Sequence, residues 1–145
     1  MRNEMKLELD ALSVNEAFAR VVVAAFVTPV NPTLEELADV KTAVSEAVTN
    51  AVIHGYDKAQ GKVMLRGILQ DGLLHIEVED RGKGIEDVEK AMEPLFTTRP
   101  ELERSGMGFS FMEAFMDHLE VRSKPGEGTL VIMEKRFQNR EQDEE

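Results

Sequence analysis

A chain of 145 residues has the length of one ordinary globular domain, and 42% hydrophobic with 31% charged residues is a folded rather than a disordered balance. The net charge of -11, from 17 basic and 28 acidic residues, disfavours direct binding to nucleic acid, whose phosphates it would repel. With no cysteine there are no disulfides, thiolate metal sites or Cys nucleophiles, and no membrane-length apolar run or signal-peptide pattern appears, so a cytoplasmic protein is expected.

Met5, Leu7 and Leu9 alternate with Lys6, Glu8 and Asp10, the pattern of a half-buried strand. Ser13 followed by Glu16 has the spacing of a capping box and predicts a helix from about Val14 to Val27. Pro29 and Pro32 interrupt the chain, and Thr33 with Glu36 opens a second helix. Leu37, Val40, Val44, Ala47, Val48 and Ala51 form its apolar stripe, and His54-Gly55 is expected to end it with glycine at C′. Residues 62–70 and 73–79 flank Asp71-Gly72, a strong hairpin signal. A short helix near Ile85–Met92 leads into the polar, proline-bearing stretch 93–105, which has the length of a mobile lid. Phe109, Met112, Phe115, Met116 and Leu119 mark a further helix. Lys124–Gly128 is a turn before a last strand from Thr129 to Phe137, and the polar residues 138–145 read as a flexible acidic tail. This order predicts one α/β domain over 1–137, a two-layer sandwich with helices on one face of a mixed, mostly antiparallel sheet.

Three short motifs carry the chemistry. Glu46, Asn50 and His54 recur every four residues and share a helix face. Such a face is either merely solvated, or it offers Mg2+ an amide oxygen from Asn50 and a proton acceptor from Glu46. His54 is explained by its place at a helix end. Asp80, before Gly82 and Gly84, is either a turn residue or an acceptor for an exocyclic amine such as adenine N6. Ser105-Gly106-Met107-Gly108 precedes a helix and can set free N–H groups beside an anion, or be only a glycine-rich helix start. It is neither a Walker A loop nor a dinucleotide fingerprint. In the lid, Thr97, Thr98, Arg99 and Arg104 are solvated or face the phosphates, with Arg104 best placed to stabilise a transferring phosphoryl group. Arg20 pairs with Glu16 or meets a partner.

Together Glu46-x-x-x-Asn50, Asp80-x-Gly82-x-Gly84, Gly106-x-Gly108 and Gly128-Thr129 resemble the motifs of the GHKL ATP-binding superfamily, which shares the Bergerat α/β sandwich with a mobile ATP lid. Within that group, Glu46–Tyr56, Pro94–Thr98 and Arg104–Phe109 resemble the anti-sigma F family of sporulating bacteria. The resemblance implies a homodimeric serine kinase that inhibits a sigma factor and phosphorylates an anti-anti-sigma protein. It implies Glu46 as base, Asn50 as Mg2+ ligand and Asp80 as adenine contact. It also implies an ATP/ADP pocket shaped by Gly82, Gly84, Gly106 and Gly108, with Thr129 at the adenine end. Arg20 at the sigma interface, Arg104 in catalysis, and Thr97, Thr98 and Ser105 at the nucleotide complete the expected site. The alternatives are a nucleotide-gated binding module or a simple ATPase of the same fold. A histidine kinase would need a phosphoacceptor hairpin, and none of His54, His75 and His118 lies on one.

Overall fold

The computed structural model describes residues 1–56, 61–93 and 108–138. Strand β1 (Arg2–Asp10) is followed by helix α1 (Asn15–Phe26), a 3-10 turn at Thr28–Val30, and the long helix α2 (Leu34–Asn50). Next come β2 (Lys62–Gln70), β3 (Leu73–Asp80), the single helical turn α3 (Val88–Ala91), α4 (Gly108–Phe115), β4 (His118–Lys124) and β5 (Gly128–Arg136). The strands lie in the order β1-β2-β3-β5-β4, and each neighbouring pair is antiparallel. Where a mixed sheet was expected, no parallel pair occurs among the described residues.

The alternation in the strands decides which face is covered. Leu7, Leu65, Val78, Val131 and Val121 are successive cross-strand partners, and the helices pack over that face. From α1, Ala19 and Val23 enter the core; from α2, Val40, Ala43, Val44, Ala47 and Val48; from α4, Met112. The opposite face carries charged partners such as Arg66 and Glu77. Asp71 (φ 51) and Gly72 (φ 80) give the β2–β3 hairpin the left-handed turn that Asp-Gly favours.

Both capping boxes were expected; one forms. The Thr33 hydroxyl accepts the Glu36 N–H at 3.0 Å, and the Glu36 carboxylate accepts the Thr33 N–H at 2.9 Å. At α1 the N-cap is Val14, in helical conformation and with no side-chain cap. A tight turn has taken over there: Leu12 N–H bonds to the Asp10 carbonyl and Asn15 N–H to that of Leu12. Glu16 pairs instead with Arg20, at 3.7 Å.

Two further expectations change. Leu119 is in β4 and not in the preceding helix, which ends at Phe115; the apolar spacing ran on because Leu119 belongs to the buried face of the strand. Gln138 is not part of a loose tail, since its N–H donates to the second Glu36 oxygen at 2.8 Å. Residues 139–145 lie outside the described residues, as do 94–105 of the expected lid.

Candidate functional site

The C-terminal half of α2 carries Glu46 and Asn50 on the side opposite its fully buried Val40, Val44 and Val48, and His54 follows in the next turn. A Gly55 in left-handed conformation was expected to end this helix. Instead α2 widens into a π-turn over Ala51–Gly55, and Gly55 is not among the positive-φ glycines. What position 55 requires is closeness: a Cβ there would lie 2.8 Å from Asp80 Cγ and Oδ1. The Gly55 carbonyl accepts the Lys83 N–H at 2.7 Å, and a Cβ at Gly82 would sit 1.8 Å from the same oxygen. The end of α2 and the loop after β3 are thus pressed into one seam that has room for no side chain.

Asp80 ends β3 on the covered face and is 6% exposed. Burial pushes its carboxyl above the ordinary carboxylate value, against the pull of the Gly82 and Thr129 backbone N–H groups, with Glu79 adding to the rise. Gly82 N–H donates to Asp80 Oδ1 at 2.9 Å. Gly84 follows with φ +77, a conformation that suits glycine, and packs on the Lys124 carbonyl.

Register explains the neighbours of Asp80. Asp80 pairs with Thr129, and Thr129 pairs with Ser123. The next row inward is Val78, Val131 and Val121. The covered face is therefore apolar until its last row, where a carboxylate and two hydroxyls replace the valines.

Asp80, Thr129, Gly84, Asn50, His54 and Gly108 line one cleft of about 590 Å³, the size of a small-molecule site. Val78, Ala47, Ala51 and Val131 give it apolar walls suited to a flat base. Gly108, also on the cleft, opens α4 against α2: a Cβ there would lie 3.1 Å from Asn50 Nδ2, 3.2 Å from Asn50 Oδ1 and 3.3 Å from Glu46 Oε1. The absent side chain leaves a cradle of amide and carboxylate oxygens. Among the described residues no cluster of His, Asp and Glu could hold a metal by itself. The donor set at Asn50 and Glu46 suits a cation that keeps most of its ligands as water or phosphate oxygens, as Mg2+ does.

Of the expected site residues, the structure brings together Asn50, Asp80, Gly84, Gly108 and Thr129 along the cleft, with Gly82 in the seam and Glu46 beside Gly108. Thr97, Thr98, Arg104, Ser105 and Gly106 fall outside the described residues. Arg20 lies away on α1, paired with Glu16. Two residues given no role by the sequence reading stand out. Tyr56, the only tyrosine, donates from its hydroxyl to the Lys62 carbonyl at 2.6 Å and accepts the Arg81 N–H at 2.8 Å. Ser123 accepts the Ile85 N–H at 2.7 Å and donates to the Gly128 carbonyl at 2.8 Å. Ser123 has no local motif; Tyr56 closes the Glu46–Tyr56 stretch that carries the family resemblance and is the chain's single tyrosine, and those were its visible signals.

Residues 9–135 match the family described as Histidine kinase-like ATPase domain. An anti-sigma F factor of Clostridium acetobutylicum is 58% identical over 137 residues, covering 94% of this chain and 96% of that protein. An anti-sigma F factor of Caldanaerobacter subterraneus subsp. tengcongensis is 60% identical over 133 residues, covering 92% and 93%. Among solved structures, the RsbU and RsbW domains of Rv1364c from Mycobacterium tuberculosis superpose with a TM-score of 0.67 at 22% identity, over 93% of this chain and 32% of that one. Full-length ShkA in complex with AMPPNP superposes with a TM-score of 0.60 at 18% identity, over 88% of this chain and 30% of that one. The chain thus spans about a third of each of these two longer chains, and they bear on the fold alone.

Proposed function

The chain belongs to the histidine kinase-like ATPase family and, within it, to the anti-sigma F factors, and on that premise we propose that it holds a sigma factor inactive and uses Mg-ATP to phosphorylate an anti-anti-sigma protein on serine. The observation that carries this reading is the composition of the cleft. The buried Asp80 carboxylate and Thr129 line it together with Asn50 and Gly108, Glu46 stands beside Gly108, and Val78, Ala47, Ala51 and Val131 give it apolar walls. An adenine amine meets Asp80, Thr129 helps hold the base, and Gly82 and Gly84 shape its pocket. The phosphates extend toward Asn50 and Gly108.

Asn50 would hold Mg2+ through its amide oxygen, and the bound cation would neutralise charge on the phosphate oxygens. Glu46, one helical turn earlier, accepts the proton of the substrate serine as its Oγ forms a bond to the γ-phosphorus and the bond to the ADP oxygen breaks. From the segment outside the described residues, Gly106, Ser105, Thr97 and Thr98 would contact the nucleotide and Arg104 would stabilise the transferred group. Residues 1–137 act as one ATP-binding unit, as a homodimer in the cytoplasm. Among the described residues no helix is long and apolar enough to cross a membrane.

Arg20 would contact the sigma factor. Its side chain remains 40% exposed although paired with Glu16, and it shares α1 with Phe18 and Val21, which are 50% and 62% exposed. An exposed ion pair contributes little to stability, so Arg20 is available to a partner.

The test is transfer of labelled γ-phosphate from Mg-ATP with and without the anti-anti-sigma protein. Phosphoserine on that partner, lost in Glu46→Ala, is the expected result. Free phosphate without partner labelling would make the protein an ATPase, and tight ATP binding without turnover would make it a nucleotide-gated binding module.

A further inference from the structure

Ser123 makes three polar contacts, and their directions can be counted. A serine hydroxyl has one proton to give and two lone pairs to receive. The Gly128 carbonyl can only accept, so the contact at 2.8 Å uses the Ser123 proton. The Ile85 N–H can only donate, so the contact at 2.7 Å uses one lone pair. The third contact, 2.9 Å to Thr129 Oγ1, must then be a bond donated by Thr129. Ser123 is saturated, and the Thr129 proton is committed to it. Toward the cleft Thr129 presents lone pairs only. Its neighbour in the same cross-strand row, Asp80, offers carboxylate oxygens.

We propose that Ser123 is a specificity-determining residue: by fixing the direction of the Thr129 hydroxyl it leaves the Asp80 and Thr129 side chains offering acceptors only, which selects 6-aminopurine nucleotides over 6-oxopurine ones. The inference rests on the reading that this cleft takes a purine nucleotide at Asp80 and Thr129. A 6-amino group brings two donors to a row of acceptors. A 6-oxopurine brings one donor, its N1–H, and at position 6 a further acceptor, which would face the acceptor row without a partner. Ser123 touches no base itself and acts through Thr129.

The test compares the Kd of ATP and of inosine triphosphate, which differ at this edge, for the wild type, Ser123→Ala, Ser123→Thr and Thr129→Val by calorimetry. The wild type should prefer ATP. In Ser123→Ala the freed Thr129 hydroxyl can turn and donate to a 6-oxo group, so the preference should fall about tenfold, the size of one hydrogen bond made rather than frustrated. Ser123→Thr, which keeps the hydroxyl, should retain the wild-type preference. Thr129→Val removes the oriented acceptor and should narrow the preference even if Ser123→Ala fails to fold. An unchanged ratio in Thr129→Val, or in a folded Ser123→Ala, with a wild type that prefers ATP, overturns this inference and leaves the cleft reading standing. A wild type that binds neither nucleotide overturns both.

Discussion

The Arg81 backbone N–H donates to the Tyr56 hydroxyl at 2.8 Å, joining the residue that follows Asp80 to the residue that follows Gly55. The same hydroxyl donates to the Lys62 carbonyl at 2.6 Å, so one oxygen ties the end of α2, the start of β2 and the exit of β3. With the Lys83-to-Gly55 bond alongside, the loop after Asp80 and the helix bearing Asn50 are held as one piece.

Tyr56→Phe keeps the ring, against which Gly61 packs, and removes only that oxygen. ATP affinity should fall by about tenfold, as for one lost hydrogen bond, while phosphotransfer at saturating ATP changes little. Calorimetry together with saturation kinetics separates the two. A drop in kcat at unchanged Kd would mean that Tyr56 does not position the loop after Asp80 for nucleotide binding.

Gly55→Ala forces a methyl group to 2.8 Å from the Asp80 carboxylate. Either the seam opens or Asp80 turns away. Nucleotide binding should be severely weakened, and stability should drop by about 1–3 kcal/mol from overpacking. ATP titration and urea unfolding of the variant check both effects; wild-type ATP affinity would show that the seam is slack.

On the open face of the sheet, His75 lies between two carboxylates, Nδ1 at 2.9 Å from Glu134 and Nε2 at 2.7 Å from Glu77. Burial works against the charged ring, but the hydrogen bonds to Glu134 and Glu77 outweigh it and raise the His75 pKa above the ordinary 6.5. Arg66, 3.8 Å from Glu77, and His118, directly across from Glu134, complete the surroundings. A raised folded pKa means that the stabilisation is fully present below the unfolded value and is lost as pH rises through the folded one. Compared with His75→Gln, the wild type should therefore hold its largest stability advantage below the ordinary imidazole value and lose it progressively as pH rises above that value, as measured by urea unfolding. An advantage that grows with pH would contradict the cluster.

Thr33→Ala removes the hydroxyl that accepts the Glu36 N–H. The loss should be about 1 kcal/mol of stability, the usual worth of an N-cap. ATP affinity should be unchanged, because the cap is at the far end of α2 from Asn50. Thermal unfolding and calorimetry read the two, and a weakened Kd would show that the cap is coupled to the cleft.

Much of this architecture was legible because it is local. The Thr33–Glu36 box, the apolar stripe of α2 and the Asp71-Gly72 hairpin each depend on residues within one helix or one turn. The Ser13–Glu16 box has the same spacing, yet there the turn from Asp10 to Asn15 competes and prevails. Sequence spacing alone does not register that contest. In the site, Asn50, Asp80 and Thr129 could be singled out by motif, but the reason they share a cleft could not. It lies in strand order, since β5 sits between β3 and β4 and brings Thr129 beside Asp80 and Ser123 beside Thr129. Gly55 shows the same limit: after a helix, glycine reads as a terminator, and only the approach of Asp80 reveals it as a clearance.

The double use of Glu36 has a practical side. Its carboxylate holds Thr33 at the entry to α2 and Gln138 just past β5, and those two donors, despite the cost of burial, keep it more acidic than usual. An attachment placed directly after Gln138 therefore departs beside Glu36, about 21 Å along the helix from Asn50 at ~1.5 Å per residue. Immobilising the protein on a sensor surface from that point would keep the anchor at the opposite end of α2 from Asn50.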